Sequence, residues 1–130
     1  MSETPRHKSD HSDQALELYY DGKSFYNAGK HQEAIELLTR SWNHRPHAHT
    51  AFCLAMAYKG CNSDVKYLEW IRNAYQLNAN HSMIATEYAN ALSSSGNQIE
   101  AISVLSLALQ RSPNYGPARS LLSRIRELTN

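Results

Sequence analysis

The chain has 130 residues, 42% hydrophobic and 19% charged, with a formal net charge of +1. That is room for one domain with one continuous core, in the composition of an ordinary water-soluble globular protein. So even a balance argues against a dedicated nucleic-acid or membrane-surface protein, both of which usually carry a marked excess of charge.

Residues 1–12 are polar, show no apolar pattern and are expected to form a mobile N-terminal tail. They contain neither the apolar stretch of a secretory signal nor that of a membrane anchor, which points to the cytoplasm. Residues 13–130 read as a single domain. Apolar residues recur there at three- and four-residue spacing, the mark of helices with one buried face, and no strand-type alternation competes. Helices are expected over 14–28, 31–44, 48–60, 64–77, 82–95 and 98–111, with a last one over 116–128. Ser63 and Asn97 are expected to cap their helices through the side chain, Asn97 with Glu100 as reciprocal partner. In the last pair Ala85, Tyr88, Ala89 and Leu92 make one stripe, answered by Ile99, Ile102, Leu105, Ala108 and Leu109. Pro117 suits the first turn of the final helix. Ala118, Leu121, Leu122, Ile125 and Leu128 form its apolar face.

Sliding the chain against itself exposes a period of 33 to 34 residues. The columns are Gly22, Ala55 and Ala89, all small; Phe25, Tyr58 and Leu92, all large and apolar; and Gly29, Asn62 and Gly96, which tolerate the left-handed conformation that ends a helix. Further columns are Leu38, Ile71 and Leu105; Ser41, Ala74 and Ala108; and Pro46, Ala79 and Pro113, where each unit stops. Small residues at facing positions let two antiparallel helices cross closely. The pattern carried by Ala89, Leu92, Gly96, Ala101, Ala108 and Pro113 resembles the tetratricopeptide repeat (TPR). Gly22, Phe25, Gly29, Ala34 and Pro46 repeat it in the first unit. The second unit is degenerate, with Tyr67 where the family prefers Ala, a change expected to push its helices apart or rotate them. The resemblance implies an all-α helix-turn-helix solenoid of about seven helices. Its repeats would span about 15–47, 48–81 and 82–115, closed by a capping helix at about 116–128.

Little in the sequence suggests catalysis. There is no Gly-rich phosphate loop, no paired carboxylates, and no Ser or Cys nucleophile with an evident base. Cys53 and Cys61 stand eight residues apart on or near one expected helix, with Cys61 in the turn, about 12 Å apart and too far to bridge. His44, His47 and His49 crowd one turn but have no acidic or thiol ligand close in sequence, so they read as polar turn residues rather than a metal site. No metal and no cofactor are expected.

What the resemblance implies is binding of another polypeptide in a concave groove lined by the first helix of each pair. Carried over residue by residue, the lining is Leu16, Tyr19, Lys23 and Tyr26; His49, Phe52, Met56 and Lys59; and Met83, Thr86 and Asn90. Tyr19, Tyr26, Phe52 and Met56 would be its anchors, facing solvent in the free protein. The family's clamp for a C-terminal carboxylate is not reproduced, since its places hold Tyr19, Lys23, Cys53, Met83 and Glu87. The expected role is therefore an adaptor or chaperone-like module for an apolar or amphipathic segment, with no nucleic-acid or membrane partner. Two alternatives stay open: a self-assembling scaffold that forms homo-oligomers, and the targeting domain of a larger enzyme such as a glycosyltransferase.

Overall fold

The structure, a computed structural model, describes residues 11–129, and side chains from Gln14 onward. Among the described residues there are seven helices and no strand. They are α1 (His11–Asn27), α2 (His31–His44), α3 (Ala48–Gly60), α4 (Asp64–Leu77), α5 (Ser82–Ser94), α6 (Gln98–Arg111) and α7 (Gly116–Thr129). Each packs on the next in chain order, most closely within the pairs α1–α2 and α3–α4. Of the polar stretch 1–12, residues 1–10 lie outside the described residues, and His11 and Ser12 open α1.

The repeat columns acquire their physical meaning at the helix ends. Gly29, Asn62 and Gly96 take φ of 80°, 61° and 91°, the left-handed region. This reverses the chain so that the next residue's N–H reaches back to a carbonyl five residues earlier. Lys30 donates to Phe25, Ser63 to Tyr58 and Asn97 to Leu92, at 2.8–2.9 Å. Two columns thus describe one closure, the left-handed residue and the large apolar residue whose carbonyl it caps. The second helices end on another column. Arg45, Asn78 and Ser112 donate to the carbonyls of Ser41, Ala74 and Ala108.

The side-chain caps fall elsewhere than expected. Neither Ser63 nor Asn97 caps through its side chain. Both leave the left-handed turn with ψ of 83° and 64°, short of the extended backbone from which a side chain reaches the first turn. Glu100 instead accepts from the Tyr88 hydroxyl at 3.2 Å. The residues that do cap are His47 and His81, whose backbones are extended at ψ of 144° and 116°.

The core runs along the helix pairs. Leu38, Leu54, Ile71, Ile84, Leu92 and Leu105 are fully buried, one or more from each of α2 to α6. Gly22 packs against Leu38 so closely that a Cβ there would lie 2.7 Å from Leu38 Cγ. Trp42 and Trp70 meet edge to face at 5.1 Å and join the first two repeats. Tyr67 does not wedge α3 from α4. It is only 4% exposed and shares its core cluster with Ala48, Ala51 and Ala55, whose small side chains leave room for the ring.

In α6 the inward face is Ala101, Val104, Leu105 and Ala108, with Ile102 and Leu109 half-buried. Ile99 is not part of it. At 100° per residue it stands about 200° round the helix from Ala101, and it is 83% exposed. The final helix buries Ala118, Leu121, Leu122 and Ile125 against the last pair, while Leu128, in its last turn, is 72% exposed.

Candidate functional site: the face of α1, α3 and α5

The first helices of the three pairs share one face, because 33- to 34-residue spacing returns equivalent residues to equivalent places. On it lies a cleft of about 430 Å³ lined by Tyr19, Lys23, Tyr26 and Asn27 of α1, His49, Phe52, Cys53 and Met56 of α3, and Met83 of α5. Seven of the eleven residues expected to line a groove therefore meet around one cavity. Leu16 joins Tyr19, Lys23 and His49 in an adjoining cavity of about 250 Å³, which reaches the α2–α3 turn through Ser41, Arg45, His47 and Thr50.

The remaining three are placed differently. Lys59 and Asn90 belong to a polar network centred on Tyr67. The Tyr67 hydroxyl donates to Glu87 Oε1 at 2.6 Å and accepts from Asn90 Nδ2 at 3.3 Å. Lys59 Nζ lies 3.5 Å from the same carboxylate and 5.2 Å from the Tyr67 ring centre. Asn90 also borders a separate cleft between α5 and α7. Thr86 spends its hydroxyl on the Ser82 carbonyl, 2.8 Å away within α5.

The four expected anchors are less free than solvent-facing side chains. Phe52 and Met56 are half-buried against the main core cluster, and Tyr19 and Tyr26 against the cluster of Ala34, Leu38, Cys53 and Leu54. The cause is geometric: a ring on the groove face of a thin solenoid rests one side on the core and shows the other to the cleft. Met83 is the most exposed of the apolar residues around the cleft, at 41%.

Burial sets the proton chemistry here. The Tyr19 hydroxyl is pushed up to about 12, by burial first and then by Cys53, whose thiol lies 4.0 Å away. Burial also raises the Cys53 thiol above its ordinary value, against the lowering pull of Tyr19 and Lys23. A thiol so held is protonated at neutral pH and is no nucleophile. Tyr67 is raised as well, by burial and then by Glu87.

The sequence placed His44 with His47 and His49, but the ring that completes the cluster is His81. His49 lies 5.5 Å from His47 and 5.4 Å from His81, centre to centre. Nδ1 of His47 accepts from the His49 N–H at 3.2 Å, and Nδ1 of His81 from the Ile84 N–H at 3.4 Å. Two of the three rings are thus helix caps, and no group of three or more His, Cys, Asp or Glu among the described residues is arranged to hold a metal ion. His49 is held below its ordinary value by burial and then by His47, His81 and Lys23. The period itself could have revealed His81, since His47 and His81 stand one repeat apart.

This architecture has solved counterparts. The first TPR of Spaghetti (RPAP3), bound to the HSP90 peptide SRMEEVD, superposes with a TM-score of 0.84 at 23% identity, covering 91% of this chain and 94% of that one. Its fold is the tetratricopeptide-repeat fold. The second TPR domain of human RPAP3, in complex with the HSP70 peptide SGPTIEEVD, matches the TPR solenoid with a TM-score of 0.82 at 24% identity, over 90% and 98% of the two chains. The Yersinia enterocolitica type III secretion chaperone SycD, in complex with a peptide of the translocator YopD, matches with 0.79 at 17% identity, over 91% and 96%. No family model matches the sequence, and no curated protein does.

Proposed function

We propose that the face of α1, α3 and α5 binds an apolar or amphipathic segment of another polypeptide, and that the protein is a cytoplasmic adaptor or chaperone-like module without catalytic activity. The observation that carries this reading is the cleft itself. Tyr26, Phe52, Met56 and Met83 converge on one cavity of about 430 Å³. Aromatic and Met side chains give large contact area with little ordering cost or with adaptable shape. The three counterparts described above were each solved with, or as binders of, a peptide, which supports a protein partner without naming it.

The partner differs from an EEVD-type C-terminus. At the family's clamp places this chain has Tyr19, Lys23, Cys53, Met83 and Glu87; all but Lys23 have lost the required donor, and Glu87 is already engaged by Tyr67 and Lys59. A terminal carboxylate brought there would meet a carboxylate.

The test is affinity against random dodecapeptides displayed and selected on the intact chain. Phe52→Leu and Met83→Ala spare the core packing that Phe52→Ala would disturb. They should weaken selected peptides by about 1–3 kcal/mol, the usual effect of trimming an interface anchor. Arg124→Ala with Arg126→Ala, on exposed positions of α7, should leave binding unchanged. Peptides lost with the arginine pair alone would place the working surface on α7.

A further inference from the structure

The two adjoining cavities of the groove differ in charge, and the difference says what a ligand must bring. They share Tyr19, Lys23 and His49. The cavity toward Met83 is mostly apolar. The one toward the α2–α3 turn is lined by Lys23, Arg45, His47 and His49, with Tyr19, Tyr20 and Leu16 as its apolar side and no Asp or Glu among the described residues that line it. Lys23 and Arg45 are both exposed, and neither has an ion pair among the described residues. The groove's carboxylate, Glu87, lies farther along α5 and is held by Lys59 and Tyr67. Among the described residues, one end of the groove is therefore internally neutralised and the other carries two cations with no carboxylate partner.

Resting on the groove reading above, we infer that the bound segment is acidic as well as apolar: its apolar anchor fills the cavity between Tyr26, Phe52, Met56 and Met83, and an Asp or Glu side chain close to it in sequence docks between Lys23, Arg45 and His49. Charge complementarity selects this occupant. A carboxylate accepts hydrogen bonds from ammonium, guanidinium and imidazole donors, and the Arg45 fork can grip both oxygens. A basic segment would bring a third positive charge beside Lys23 and Arg45. Burial first, and then the neighbouring His47, His81 and Lys23, keep His49 below its ordinary pKa. Tyr20, 57% exposed and 5.3 Å from Tyr19 ring to ring, gives the acidic residue's neighbours an aromatic wall.

The experiment uses random dodecapeptides selected on the intact chain and, in parallel, on the charge-reversed variant Lys23→Glu/Arg45→Glu. The wild type should enrich Asp or Glu beside an apolar residue, and the reversed variant Lys or Arg in the same place. Wild-type-selected peptides should bind the reversed variant about tenfold or more weakly, as expected for losing a charged hydrogen bond. Their affinity should also fall with added salt. Should the reversed variant melt early, Lys23→Gln/Arg45→Gln serves in its place, since both side chains are exposed and the replacement introduces no carboxylate. Peptides that weaken with Met83→Ala yet show no acidic preference and ignore the charge changes overturn this inference and leave the groove reading standing. Peptides indifferent to both Met83→Ala and Phe52→Leu overturn the two together.

Discussion

The Tyr67 hydroxyl lies 2.6 Å from the Glu87 carboxylate, tying the second repeat to the third at the residue where the second repeat departs furthest from its neighbours. Ala34 and Ala101 fill the equivalent places, and both are fully buried. The larger ring at 67 reaches past α3, so that its oxygen emerges beside α5, where Glu87 and Asn90 receive it. Tyr67→Phe keeps the ring and removes that oxygen. It should cost about 1–2 kcal/mol in urea unfolding, the worth of a hydrogen bond to a partly exposed charge. Tyr67→Ala also empties a core position and should cost about 3–5 kcal/mol.

Gly22 should tolerate no side chain. A Cβ there would meet Leu38 Cγ at 2.7 Å, Cδ2 at 2.9 Å and the Leu38 backbone N at 3.3 Å, and Leu38 is fully buried with nowhere to move. Gly22→Ala should therefore destabilise by about 1–3 kcal/mol despite alanine's better helix propensity. Ala101→Leu, at another fully buried small position, should cost a similar amount by the same overpacking. Thermal melts of the two variants check the register of α1 on α2 and of α5 on α6 independently.

Stability should fall as the solution is acidified, and His49 fixes the sign. Its folded-state pKa lies below the ordinary 6.5, so the unfolded chain takes the proton first as pH drops. The neutral ring's contribution is fully present above about 6.5, is lost between there and the lower folded value, and is flat below it. Urea midpoints across this range should decline less steeply for His49→Asn than for the wild type. A wild-type midpoint that rises on acidification would contradict the account.

Removing residues 115–130 should expose the apolar side of the last pair, including Ile102 and Leu109, which lie half-buried beside Leu121 and Leu122 in the intact core. The shortened chain should melt earlier and associate in light scattering, because contiguous exposed apolar surface drives aggregation. A monomer with an unchanged melting temperature would make α7 dispensable.

The fold was legible in the sequence because repetition compares the chain with itself. A single Gly is an ambiguous sign, but Gly29, Asn62 and Gly96 at one register position mark the same left-handed turn three times, and all three have positive φ. Features that differ between repeats were harder to read. Nothing in the columns says that Tyr67 finds room beside alanines of α3, or that its hydroxyl reaches Glu87. The caps failed for a related reason. Ser63 and Asn97 have suitable side chains, but the preceding left-handed closure fixes a backbone from which those side chains do not reach. Of the groove, the spacing identified which residues share a face; it carried no information on how deeply Phe52 or Tyr26 is seated, nor that Arg45 and His47 border the same cavity.

The most direct test of the groove is to map where a selected dodecapeptide perturbs the amide and methyl NMR signals of the labelled protein. Shifts should concentrate on Tyr19, Lys23, Tyr26, His49, Phe52, Met56 and Met83, the residues brought together around one cleft. Val65, Ile99 and Leu107, exposed apolar residues of the second helices, should stay unmoved. Saturable shifts confined to those three or to α7, with the cleft residues silent, would contradict the assignment of this face as the binding surface.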